Sequence, residues 1–265
     1  MNIHDFAKKK LDGTKISCVT CYDYSSALIV AESDIDCVLV GDSLAMTIYG
    51  YDSTLPADIP MMSAHIAAVA RGFKAKSSQK FIIGDMPFTT YRRGLDNAVD
   101  AAGALLKAGA HAVKLEGADG NLEIVKHFVE GGIPVMGHIG LTPQFVNTMG
   151  GFKVQGRNDE KAQKILEDAL RLEAAGCFSL VIEGVPAALG EKISKELKIP
   201  TIGIGAGKGC DGQVLVWQDF LGLNNGHKAR FVREFAHQFD ETKTVLNRVH
   251  EAILNAEYPN NAESY

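Results

Sequence analysis

The sequence has no apolar run near the roughly 20 residues that a helix needs to cross a bilayer. Its N-terminus, MNIHDFAKKKLDG, also lacks the long apolar stretch of a secretory leader. The expectation is a soluble, cytoplasmic protein with no membrane partner. There is no excess of positive charge either: 27 Lys and Arg stand against 32 Asp and Glu, for a net charge of −5. That balance argues against nucleic acid or an anionic membrane as the main partner. An anionic small molecule stays open, since a metal or one lysine can supply positive charge locally. Cysteine is scarce and odd in number: Cys18, Cys21, Cys37, Cys177 and Cys210 leave one unpaired in any disulfide scheme. Most sit in apolar stretches, which points to reduced, buried thiols. Linkers, low-complexity tracts and long repeats are missing as well. Residues 1–265 therefore read as a single domain, loose only in the tail from about Tyr258.

What the chain does contain is alternation. Its 265 residues suit one (βα)8 barrel, which typically takes about 250. Short apolar segments rich in Val and Ile recur at Lys15–Tyr22, Cys37–Asp42, Lys80–Pro87, Ala112–Gly117, Pro134–Gly140, Leu180–Val185, Pro200–Gly207 and Gln213–Gln218. They read as strands buried on both faces, as in a parallel sheet. Between most of them, Ser25–Glu32, Met61–Phe73, Leu95–Ala108, Leu122–Glu130, Glu160–Ala175 and Ala187–Leu197 space apolar residues by three and four, the helical period. Thr142-Pro143 has the form of an N-cap followed by an N1 proline. Strand–helix alternation of this length predicts an α/β fold, a closed (βα)8 TIM barrel in preference to an open doubly wound sheet. Lys208–Arg230 is the least regular part. It holds strand eight with no clear helix before it, then the polar segment Gly222–Gly226, and leads to a last helix near Phe231–Leu254.

Barrel chemistry sits at the C-terminal ends of the strands. Strand two ends at Asp42-Ser43 and strand three at Asp85; strand four runs Lys114-Leu-Glu116, strand five ends at His138 and strand six at Glu183. Period-two alternation puts Lys114 and Glu116 on one face and can turn Asp42, Asp85, His138 and Glu183 into the barrel mouth. Four carboxylates there repel unless something cationic compensates. A hard divalent ion held by two or three of them, with Mg2+ the natural choice, relieves that repulsion. Lys114 can balance the remaining charge and hold a substrate carboxylate, and a carboxylate outside the ligand set is free to act as a base.

Other motifs are weaker. Cys18-x-x-Cys21 is half a zinc ribbon with no second pair, and residues three apart on a strand face opposite ways, so two core thiols fit better. Gly207-Lys-Gly-Cys-Asp-Gly212 matches the dinucleotide spacing, but the apolar Val214–Trp217 that follows reads as a strand rather than the required helix. Those glycines are better read as sites of close backbone approach.

Taken together, Thr20-Cys-Tyr-Asp-Tyr24, Val40-Gly-Asp-Ser-Leu44, Asp52-Ser-Thr-Leu-Pro56, Asp85-Met-Pro-Phe88, Val113-Lys-Leu-Glu-Gly117, Gly137-His-Ile-Gly-Leu-Thr-Pro-Gln144, Gly150-Gly-Phe-Lys-Val-Gln-Gly-Arg157, Glu183-Gly-Val-Pro186 and Gly203-Ile-Gly-Ala-Gly207 resemble the ketopantoate hydroxymethyltransferase family. The set runs in order from about residue 15 to 220. Ala45 and Ala118 depart from it, both where glycine is usual. The resemblance implies a barrel of the phosphoenolpyruvate mutase/isocitrate lyase group and a homo-oligomer, decameric in bacterial members. It implies Mg2+ on Asp42 and Asp85, with Glu116 as a further ligand, direct or through water. Ser43, Lys114 and His138, with Asp42 and Asp85, would meet the keto acid 3-methyl-2-oxobutanoate. Glu183 would accept a proton, and 5,10-methylenetetrahydrofolate would donate the one-carbon unit. A Schiff-base aldolase using Lys114, a related Mg2+-dependent C–C lyase and a non-catalytic metabolite-binding barrel are the alternatives.

Overall fold

The computed structural model describes residues 1–224, 226 and 228–265. Each expected strand is present, shorter than the apolar run that announced it. In chain order the elements begin with α1 (Ile3–Leu11), β1 (Ile16–Thr20), α2 (Tyr24–Ala31), β2 (Cys37–Val40), α3 (Leu44–Thr47), α4 (Ile59–Ala75) and β3 (Phe81–Asp85). They continue with α5 (Leu95–Lys107), β4 (Ala112–Glu116), α6 (Leu122–Glu130), β5 (Val135–Gly140), a 3-10 turn (Pro143–Phe145), α7 (Val146–Met149) and α8 (Asp159–Ala174). Last come β6 (Ser179–Glu183), α9 (Ala187–Glu196), β7 (Thr201–Ile204), β8 (Gly212–Leu215), α10 (Trp217–Phe220) and α11 (Gln238–Leu254). The strands are all parallel and close into a barrel in sequence order, with β1 paired to β8. This is the (βα)8 barrel that the alternation predicts.

Two compact units make up the chain, Met1–Leu215 and Val216–Tyr265. The first holds the whole barrel. The second holds α10 and α11, and α11 exposes Val245, Leu246, Val249 and Ile253. The polar segment Gly222–Gly226 includes Asn225, which lies outside the described residues. Among the described residues no helix is long and apolar enough to cross a membrane.

The barrel interior follows from side-chain alternation. Ile16 and Cys18, Cys37 and Leu39, Phe81 and Ile83, Met136, Val181, Ile202 and Val214 fill it as one apolar cluster. Its lower end is filled from outside the sheet. α1, fixed by an Asn2/Asp5 capping box, inserts Phe6, fully buried, edge-on against Phe81 and Phe178 at centroid distances of 5.5 and 5.2 Å. Above this apolar layer the inward positions become polar: Asp85, Lys114, Glu116, His138 and Glu183.

Two local expectations change. Thr142-Pro143 opens a single 3-10 turn and the one-turn α7, and the Thr142 side chain makes no capping bond. The hydroxyl instead donates to Met149 Sδ at 3.7 Å. The last helix starts at Gln238 rather than near Phe231. The glycine-rich β7–β8 connection follows its sequence reading, packing on α9 with no helix of its own. A Cβ at Gly207 would stand 2.5 Å from Ala187 Cβ, and one at Gly209 would stand 2.6 Å from Glu191 Cβ. All five cysteines are free and buried. Cys18 faces Cys37 across the β1–β2 register.

Candidate active site

Register brings the polar strand ends together. Asp85 is level with Lys114, Glu116 with His138, and Gly140 with Glu183 on neighbouring strands. Lys114 Nζ lies 2.7 Å from Asp85 Oδ1 and 3.5 Å from Glu116 Oε1. His138 stands between two acids, Nδ1 3.2 Å from Glu116 Oε1 and Nε2 3.3 Å from Glu183 Oε2. Asp42, Asp85, Lys114, Glu116 and His138 are all buried, at 1–4% exposure. Glu183 is the accessible member, its side chain 16% exposed.

Asp42 arrives by a different route from the one alternation suggests. β2 ends at Val40, and Asp42 reaches the mouth from the turn that follows. Gly41 makes that turn possible, because a Cβ there would press to 2.9 Å from Ser43 Oγ. The Asp42 backbone N–H then donates to Asp85 Oδ2 at 3.1 Å. Ser43 sits at the same turn, its Oγ 2.8 Å from the hydroxyl of the buried Tyr22.

Gln144, for which no pattern in the sequence predicts a role, completes the arrangement. Its backbone N–H donates to Glu116 Oε2 at 3.0 Å and its Nε2 to Asp42 Oδ2 at 2.8 Å. Each of the three carboxylates thus commits one oxygen to a protein N–H. The second oxygens of Asp85 and Glu116 face Lys114. The 3-10 turn is two-sided, for the next residue, Phe145, lines a cavity of about 530 Å3 with Ile139, Met149 and Ile165. The Arg92 guanidinium lies 4.9 Å over the Phe145 ring.

Burial and mutual repulsion shape the electrostatics. Burial first, then the Asp85 and Glu116 charges, push the Asp42 carboxyl well above its usual range. Asp85 is also raised by burial, although Lys114 pulls the other way. Burial would raise Glu116 too, but His138 and Lys114 outweigh it and hold it low. Burial would depress Lys114, yet Asp85, Glu116 and Asp42 keep it above the ordinary lysine range, a fixed ammonium. Burial and the Lys114 charge depress His138, and Glu116 and Glu183 more than reverse this, raising it to about 9.

Among the described residues, no three His, Cys, Asp or Glu side chains are grouped closely enough to hold a metal ion as they stand. The donor chemistry nonetheless fits a hard divalent cation: two Asp and one Glu offer only oxygen. Asp85 Oδ1 is a buried oxygen with an ion-pair partner but no directed hydrogen bond.

With the geometry in view, comparison with known proteins is informative. Solved structures of low identity share the fold. A phosphonomutase-like protein from Burkholderia cenocepacia J2315, described as putative, superposes with a TM-score of 0.64 at 13% identity, covering 95% of this chain and all of the other. A 2,3-dimethylmalate lyase of the PEP mutase/isocitrate lyase superfamily gives 0.60 at 11% identity, over 99% of this chain and 91% of its own. Sequence relatives are much nearer. A 3-methyl-2-oxobutanoate hydroxymethyltransferase from Bdellovibrio bacteriovorus is 54% identical over 263 residues, 99% of this chain and 98% of that protein. One of the same name from Legionella pneumophila is 50% identical over the full length of both. The family description "Ketopantoate hydroxymethyltransferase" matches residues 1–261. This enzyme therefore belongs to the ketopantoate hydroxymethyltransferase family.

Proposed function

We propose that the enzyme transfers a hydroxymethyl group from 5,10-methylenetetrahydrofolate to 3-methyl-2-oxobutanoate, forming 2-dehydropantoate in pantothenate biosynthesis, with Mg2+ as cofactor. One observation carries the reading: three buried carboxylates around a fixed ammonium, with a fourth, more accessible carboxylate, Glu183, just beyond His138. Mg2+ would be held by Asp42 and Asp85, with Glu116 direct or through water, and would supply the electron withdrawal that acidifies C3 of the keto acid.

The residues divide the remaining work. Lys114 holds the substrate carboxylate as a fixed charge. Ser43, backed by Tyr22, donates to the substrate. Glu183 takes the C3 proton, and His138 faces it from the interior side. The carbon left electron-rich at C3 then forms the new C–C bond to the methylene carbon, while both C–N bonds of the donor break, water supplies the hydroxyl oxygen and tetrahydrofolate leaves. We read the enzyme further as a cytoplasmic homo-oligomer, for which the exposed apolar residues of α11 offer a self-association surface.

The test is 2-dehydropantoate formation from both substrates with and without EDTA. Product that depends on added Mg2+ supports the reading, and undiminished product in EDTA removes the metal from it. Inactivation by borohydride in the presence of keto acid and EDTA would make Lys114 a nucleophile instead.

A further inference from the structure

Gln144 lies in a turn between β5 and α8, is 2% exposed, and uses its backbone N–H and every polar atom of its side chain. Its two amide hydrogens go to Asp42 Oδ2 and to the Met86 carbonyl, both at 2.8 Å. Its Oε1 accepts from the Tyr91 hydroxyl at 2.6 Å. Its backbone N–H goes to Glu116 Oε2 at 3.0 Å. Tyr91 is itself fully buried, its hydroxyl 3.4 Å from both the Glu116 carbonyl and the Glu116 N–H.

This network allows one amide orientation. Turning the carboxamide over would set its oxygen against Asp42 Oδ2 and the Met86 carbonyl, acceptor against acceptor, and leave two buried N–H groups facing Tyr91. The Asp42 carboxylate and the Met86 carbonyl, which can only accept, therefore decide which end of the amide meets Asp42, and the Tyr91 hydroxyl holds the other end by donating to Oε1. The amide in turn decides which Asp42 oxygen is occupied. The same residue, through its backbone, does this for Glu116. Asp42 comes from the turn after β2 and Glu116 from β4, so Gln144 ties together two acids whose own elements are not neighbours in the barrel.

We propose that Gln144 is a positioning residue, with Tyr91 as its supporting partner, that fixes which oxygens of Asp42 and Glu116 are presented to a divalent cation. The role rests on the Mg2+ reading above. Any buried amide needs partners; what ties Gln144 to the site is that its side chain and its backbone N–H each end on one of the two acids.

Two substitutions test this in the full chain. Gln144→Met keeps the length and removes the side-chain bonds, and Tyr91→Phe keeps the ring and removes the donor that holds the amide oxygen. Mg2+ alone is titrated calorimetrically, and thermal midpoints are recorded in EDTA. The expected result is a Mg2+ dissociation constant raised roughly tenfold by Gln144→Met and about threefold by Tyr91→Phe. Mg2+ affinity within twofold of wild type in both variants overturns the role, whatever happens to the midpoint, because that pattern marks a structural residue. Should Gln144→Met not fold, Tyr91→Phe decides alone. A wild-type chain that fails to bind Mg2+ overturns the metal reading and this role with it, an outcome told apart by the wild-type titration itself.

Discussion

Glu116 and His138 are level with each other on adjacent strands, and the imidazole Nδ1 stands 3.2 Å from the carboxylate. The pair is buried, and the other ring nitrogen faces Glu183. One imidazole therefore links an interior acid to the acid at the mouth. Replacing it with an apolar group of similar size leaves the Glu116 charge only the more distant Lys114 as a cation, beside the Gln144 N–H on its other oxygen. His138→Leu is expected to destabilise the protein by about 3 kcal/mol, read from urea unfolding. Unchanged stability would mean that the imidazole does not compensate the Glu116 charge.

Glu183→Gln keeps the shape of the side chain and removes its basicity. Deuterium exchange at C3 of 3-methyl-2-oxobutanoate, followed by NMR in Mg2+, is expected to disappear while Mg2+-dependent keto-acid binding stays within a few-fold of wild type. Exchange at the wild-type rate would give the proton to another base.

Asp42→Ala leaves the Gln144 amide without its acceptor and removes one proposed ligand. Activity and Mg2+ binding should fall together, by at least tenfold. A Mg2+ titration indistinguishable from wild type would take Asp42 out of the ligand set.

Gly140 has φ +89, and a Cβ there would sit 2.2 Å from the Glu183 carbonyl oxygen. That carbonyl accepts from the Leu141 N–H at 2.8 Å. Gly140→Ala thus combines an unfavourable backbone conformation with a clash against the strand that carries Glu183. The expectation is a loss of about 2 kcal/mol or more in stability and slower C3 exchange. A variant as stable and as active as wild type would show that the rim yields at no cost.

Asp36, ahead of β2, supports the barrel away from the site. Its carboxylate accepts from the Ser17 N–H and hydroxyl at 2.9 and 3.1 Å and pairs with Lys9 at 2.7 Å. Burial alone would raise its pKa, but Lys9 and Ser17 outweigh that and hold it below the usual carboxylate range. Its contribution is thus complete above the unfolded value, near 3.9, and is lost as pH falls through the lower folded one. Asp36→Asn should cost roughly 1 kcal/mol at neutral pH and flatten the acid limb of stability below about pH 4. An unaltered acid limb would sink the assignment.

The barrel was legible because strands buried on both faces must be written as apolar runs, whatever surrounds them. The same logic gave Lys114 and Glu116 a shared face. It failed at Asp42, because a polar residue after an apolar run looks like the end of the strand even when the chain has already turned. It missed α1, although the amphipathic pattern of its nine residues and its Asn2/Asp5 capping box are both written in the sequence. Gln144 was illegible for another reason. Its side-chain partners Asp42, Met86 and Tyr91 lie 102, 58 and 53 residues away. No local pattern encodes bonds of that span, although the residue stands at the end of a motif that marks the family.

The Phe6 plug has a kinetic meaning. With aromatic rings and the apolar cluster filling the strand N-terminal end, the polar layer is closed from below among the described residues and is approached from the strand C-terminal side. In the proposed reaction, two reactants and their products would share that one approach, and whatever seats against Lys114 would enter before anything that covers Glu183. A phenylalanine beneath the strands would thus set an order of events at their opposite ends.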